Sequence, residues 1–154
     1  MVRIPMKTLL LIIASFLPGF FLTSCCSSTD SVTAMSIRYY SGGGFSGMYE
    51  GWDVSIDGSV TWWQGFYGKR DTTAVVGKLS PESWRSLRKM VEENAITNLD
   101  LDERGNMTTT LEIIESETRV VLNWPGLHSD TESAPPAVRK FVQALVQEIQ
   151  KLGH

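Results

Sequence analysis

The spacing of apolar and polar residues changes character several times along the chain, and each change marks an element. Leu9 to Leu22 is an apolar run interrupted only by Ser15, Pro18 and Gly19. At about 14 residues it falls short of the ~20 that a spanning helix needs. From Met35 the pattern becomes that of strands. Met35 to Ser41 alternates loosely and is rich in β-formers, with Ile37, Tyr39 and Tyr40. Tyr49 to Ile56 alternates cleanly, with Trp52, Val54 and Ile56 on one face and Asp53 and Ser55 on the other. Asp57-Gly58 is the dipeptide a two-residue type I′ hairpin turn prefers. Ser59 to Tyr67 is then the returning strand, with Val60 and Trp62 on one face and Thr61 and Trp63 on the other. Gly65 and Gly68 mark a bulge or bend, and Lys69-Arg70-Asp71 makes a charged tip. Thr72 to Lys78 allows a further short strand.

The period then lengthens to that of a helix. Ser80 is placed to cap, Pro81 to open the first turn, and Leu79 and Trp84 to form a hydrophobic staple. Trp84, Leu87 and Val91 form one stripe, and the helix runs to about Asn94. Asn98 to Asn106 reads as a polar, acidic loop. Met107–Ile114 and Thr118–Trp124 form a second hairpin across Glu115-Ser116-Glu117. After a polar loop from Leu127 to Ala134, Pro135-Pro136 opens a helix that Gly153 stops. Its stripe is Val138, Phe141, Val142, Leu145, Ile149 and Leu152. The order β-β-β-α-β-β-α predicts an α+β fold: a small antiparallel sheet with both helices packed on one face.

Composition narrows the function. Net charge is −3, and Arg3 and Lys7 precede Cys25 with no acid beside them. The remainder is thus two units more negative, with its basic residues scattered. Such a domain does not attract phosphates, so nucleic acid is not an expected partner. The only cysteines, Cys25 and Cys26, are adjacent and precede the foldable region. The domain therefore has no disulfide framework and no thiolate metal site. His128 and His154 have no second ligand at helical spacing, so neither metal nor cofactor is expected.

Leu22-Thr23-Ser24-Cys25 resembles the lipobox of bacterial lipoproteins. The resemblance implies that residues 1–24 are a signal peptide, with Arg3 and Lys7 as its positive region. It implies that Cys25 carries the acyl chains, that 25–34 is a polar tether, and that 35–153 is one working domain. An uncleaved N-terminal anchor is the alternative. Cys26, where an aspartate would signal inner-membrane retention, implies the outer membrane if the source is Gram-negative. The expected partners are the membrane, through lipid, and an envelope protein.

Candidate chemistry is sparse. No G-x-S-x-G elbow, phosphate loop or calcium loop is complete, and no catalytic residue is assigned. The acidic residues Asp100, Asp102 and Glu103 read as a solvated loop. Gly42, Gly43 and Gly44, followed by Phe45, form a mobile loop or a tight path with positive φ, and they suit close backbone approach by a partner. Trp62 and Trp63 cannot face the same side, so one packs in the core. The other is free to stack on a sugar or anchor a protein, or is consumed in cross-strand packing or covered by the Lys69-Arg70 loop. Trp63, Phe66 and Tyr67 are the candidates taken from this hairpin.

Ile37 to Gly47, reading IRYYSGGGFSG, also resembles the start of the emfourin-like proteinaceous inhibitors of thermolysin-type metalloproteases. Those begin with a strand running into a GGF-containing loop. The resemblance covers this segment and the coarse element order, and implies inhibition through Ser41–Gly47. The leading expectation is a non-enzymatic interaction module on a lipid tether, with inhibition as the alternative.

Overall fold

Alternation in β1 (Met35–Gly43) buries Met35, Ile37, Tyr39 and Ser41 on one face and turns Arg38 and Tyr40 to the other. The computed structural model describes residues 34–66 and 69–153. The leader, the lipobox with Cys25, and Tyr67 lie outside the described residues. Five further strands join β1: β2 (Met48–Val54), β3 (Ser59–Phe66), β4 (Lys69–Lys78), β5 (Met107–Glu115) and β6 (Thr118–Pro125). They form one antiparallel sheet ordered β4-β3-β2-β1-β5-β6. The fold is α+β, in the element order expected. The short strand foreseen over Thr72–Lys78 is the ten-residue β4, which takes in Lys69, Arg70 and Asp71 instead of leaving them as a tip. Its register slips between Val60 and Thr61 and between Gln64 and Gly65, bulges that twist an exposed edge.

Helices α1 (Pro81–Glu93) and α2 (Pro136–Gln150) cover one face. The α1 cap is as expected: Ser80 Oγ accepts from the Ser83 N–H at 3.0 Å. Trp84, Leu87 and Val91 meet Val138, Phe141, Val142, Leu145 and Ile149 over the β1, β5 and β6 side chains in one core. Burying these apolar faces is the main force holding helices to sheet.

The first hairpin turn differs from expectation. Gly58 has φ +84°, but Asp57 does not share the positive φ that a type I′ turn needs at both central residues. The Gly58 N–H donates to Ser55 O, and the Ser55 N–H donates to Ser59 O. The loop is therefore Ile56-Asp57-Gly58, a three-residue turn with a glycine bulge. Asp57 is consumed by its surroundings. It accepts from the Ser59 N–H and hydroxyl and from Lys78 Nζ, and the Lys78 contact leads the effects that lower its carboxyl to about 2. Ile56 leaves the buried row and is exposed, while its carbonyl accepts from Trp84 Nε1 at 3.0 Å.

Candidate functional site

Two features gather at the end of the sheet where β1 turns into β2. The first is the turn itself. Gly43, Gly44 and Gly47 have φ of +112°, +63° and +62°, conformations a side chain resists. The turn is tied down rather than loose. The Gly44 N–H donates to Asn106 O at 2.6 Å, and the Gly47 N–H donates to Gly44 O at 3.3 Å. The Met48 N–H donates to Ser46 Oγ at 3.3 Å. Phe45, at the apex, has a relative exposure of 108%. In register with Met48 stands Phe66, 44% exposed, at the end of β3. Leu127, exposed at 47%, begins the loop after β6 beside the same sheet end.

The second feature is the sheet face that no helix covers. Cross-strand register aligns side chains into rows there. One row is charged: Asp53 on β2, Arg38 on β1 and Glu112 on β5. Arg70 pairs with Asp53 from β4. Arg38 lies 3.7 Å from Asp53 and 3.6 Å from Glu112, and Arg119 lies 2.7 Å from Glu112. Positive and negative groups thus alternate across the sheet. Glu112 is only 2% exposed, and two guanidiniums offset its desolvation.

The neighbouring row runs Trp63, Gly51, Tyr40, Thr110, Asn123. Gly51 has no side chain, so the Tyr40 and Trp63 rings approach to 5.4 Å across it. The next row sets Tyr49 between Gly65 and Gly42. A methyl on Gly42 would meet Tyr49 Cδ1 at 2.7 Å, and one on Gly43 would meet the Tyr49 hydroxyl at 3.7 Å. The Tyr49 ring therefore lies along the glycine backbone. Above these rows the segment before β5 bends over β6. The Asn123 N–H donates to Leu101 O at 2.8 Å, and Asn123 Nδ2 donates to Asp102 at 2.7 Å. Arg104 Nε donates to the same carboxylate at 2.8 Å, and this bond leads in holding the Asp102 carboxyl below the usual range. Floor and wall enclose an open groove of about 1040 Å³.

The sequence candidates divide on this geometry. Gly43, Gly44 and Phe45 share the tip with Phe66, while Gly42 lies beside Tyr49, which lines the groove. Trp63 corrects the expectation of a free aromatic ring. It is 5% exposed, its Nε1 donates to Asp53 at 3.1 Å, and Arg70 covers its ring at 4.9 Å. Trp62, its neighbour, stands opposite Trp52 and is half-buried. Sequence pattern alone does not mark Tyr40, Tyr49, Arg38, Glu112 and Arg104 as site residues. A signal for the tyrosines existed in Gly42, Gly51 and Gly65, placed so that register sets each beside an aromatic residue.

On the helix side, Tyr39 stacks with Trp52 and Trp124 at 6.2 and 6.4 Å. His128 leans on the same ring at 4.8 Å, and its backbone carbonyl accepts from the Tyr39 hydroxyl. Burial raises the Tyr39 phenol above its ordinary range and pushes the His128 imidazole down to about 4. His128 Nε2 donates to Glu50 O at 3.1 Å, while Nδ1 is buried without a partner. This is a histidine packed between the Tyr39 and Trp52 rings. Among the described residues no group of three His, Cys, Asp or Glu side chains is placed to hold a metal. Among the same residues no helix is long and apolar enough to cross a membrane. The chain matches no family model, and no curated protein matches it.

Proposed function

We propose that this chain is a lipid-anchored envelope protein that acts by binding, presenting the hairpin tip at Phe45 to a protein partner. The observation that carries this is a fully exposed phenylalanine on a turn whose backbone is hydrogen-bonded in place. Such a ring adds nothing to the core and stays hydrated until something covers it, which is how a binding anchor behaves. A turn ordered in advance also loses little entropy on binding.

The proposed tether suits the same role. The chain enters the sheet at Met35 and reaches the tip after the nine residues of β1. At ~3.4 Å per residue these points lie about 30 Å apart, at opposite ends of the strand. A lipid at Cys25 would raise the effective concentration of the tip for envelope partners.

A second reading, inhibition of a thermolysin-type metalloprotease, is favoured by the narrow, preorganised form of the same turn. Both readings need Phe45 and part at the partner. Full-length protein and a Phe45→Asp variant are used for cross-linking capture from envelope extract and for inhibition of thermolysin. A partner captured by the wild type and lost with Phe45→Asp supports the interaction module. Inhibition of thermolysin abolished by the same change supports the inhibitor. Capture and inhibition that both ignore the substitution overturn the tip as the binding surface.

A further inference from the structure

We propose that the groove on the uncovered sheet face, separate from the Phe45 tip, is a saccharide-binding site. Its floor is unusual for an open sheet face. Glycines stand in register with aromatic residues, so the Tyr49 ring lies along Gly42–Gly43 and Tyr40 leans across Gly51. The Tyr49 ring, backed by the glycine strand and met edge-on by Tyr40 at 66°, is an aromatic ring of the kind that the C–H face of a pyranose stacks on. Polar groups then surround that ring in both senses. Asp102 offers acceptor capacity and Arg104 offers donors beyond the Nε already used. A sugar hydroxyl is both donor and acceptor, so it needs this mixture, whereas an apolar ligand would leave these groups unpaired.

Charge separates this from other ligands. Of the arginines lining the groove, Arg38, Arg70 and Arg119 already face Asp53 or Glu112, and Arg104 faces Asp102. Polyphosphates and nucleic acids select uncompensated positive charge, which this ladder lacks. Arg38, Arg70, Arg104 and Arg119 are matched in number by Asp53, Asp100, Asp102 and Glu112, so the groove suits a neutral saccharide, while the exposed Arg104 can still meet a sugar carboxylate. Size agrees: about 1040 Å³ matches the upper end of the ~300–1,000 Å³ range of small-ligand sites, room for several sugar rings.

The test is calorimetric titration of the full-length protein in detergent with two defined probes, chitotetraose (neutral) and tetragalacturonate (acidic). Saturable binding of at least one probe with Kd below roughly 1 mM is expected. Tyr49→Ala and Arg104→Ala should each weaken it by about tenfold, while Phe45→Asp leaves it within about twofold. Arg104 is 68% exposed, with Asp102 as its ion-pair partner, so its substitution keeps the fold intact should Tyr49→Ala disturb it. Binding of tetragalacturonate alone identifies an acidic saccharide, and binding of both identifies recognition of the ring itself. Either supports the site. No saturable binding of either probe up to about 10 mM, or binding that survives both groove substitutions, overturns it. Because Phe45→Asp removes the tip and spares the groove, failure here is distinguishable from failure of the proposed binding tip.

Discussion

Acid should loosen this protein through His128, and the size of the effect follows from its surroundings. The imidazole is held between Tyr39 and Trp52, with Nε2–H donated to Glu50 O and Nδ1 buried without a partner. A second proton would go onto Nδ1, where nothing accepts it. Burial accordingly lowers the folded pKa from 6.5 to about 4. A depressed pKa means the unfolded chain takes up the proton first as pH falls. Stability is therefore complete above about pH 6.5 and is lost as pH falls through about 4. The linkage relation gives a loss of about 2 kcal/mol between about pH 7.5 and about pH 5. That is a large share of the ~5–15 kcal/mol expected for a domain of this size. The carboxyls lowered by their partners, Asp57, Asp102 and Glu148, are common to both proteins and cancel in the comparison of wild type with variant. The assay is urea denaturation of wild type and His128→Gln at the two pH values. Wild type should lose about 2 kcal/mol more than the variant on acidification. His154 is the chain's other histidine, and it cancels in the difference. Equal pH dependence of the two proteins, or an NMR titration placing the His128 pKa above about 6, would refute the reasoning.

Three further outcomes test the fold and the anchor. Gly51→Ala should cost more than about 2 kcal/mol in urea denaturation, because the methyl would overlap the Tyr39 carbonyl and sit 2.6 Å from Tyr40 Cα. Unchanged stability would mean that β1 and β2 separate readily there. Gly58→Val should cost more than about 1 kcal/mol, since the site has φ +84° although its neighbours leave room. An unchanged Tm would contradict that backbone conformation. Cys25→Ser should release the protein from the membrane fraction without detergent. Detergent-dependent membrane association of the variant would exclude the thioether as its anchor.

Much of this molecule is decided by neighbours a few residues apart, and that part is legible in the chain itself. Ser80-Pro81 and the stripe Trp84, Leu87, Val91 define α1, since a cap and a 3.6-residue period are local properties. Alternation likewise marks β2, β3, β5 and β6, and the succession of periods yields an antiparallel α+β fold. The glycines before Phe45 announce a turn with positive φ, and Phe45 is exposed there. Register and coverage, in contrast, depend on residues far apart in sequence. The period of two separates Trp62 from Trp63, and the Lys69-Arg70 segment is near enough to cover one of them, but neither says that Trp63 is the covered ring or that Asp53 takes its N–H. Asp57-Gly58 favours type I′ in isolation, yet Ser59, Lys78 and Trp84 hold a wider, three-residue loop. Glu112 reads as an ordinary polar position until Arg38 and Arg119 arrive from the strands on either side. The groove is assembled from the uncovered sheet face and the segment before β5 that bends over it, which only the fold brings together. Local conformational preference is written in consecutive residues, whereas a shared surface is assembled by pairing strands, and tertiary structure alone decides which side chains meet.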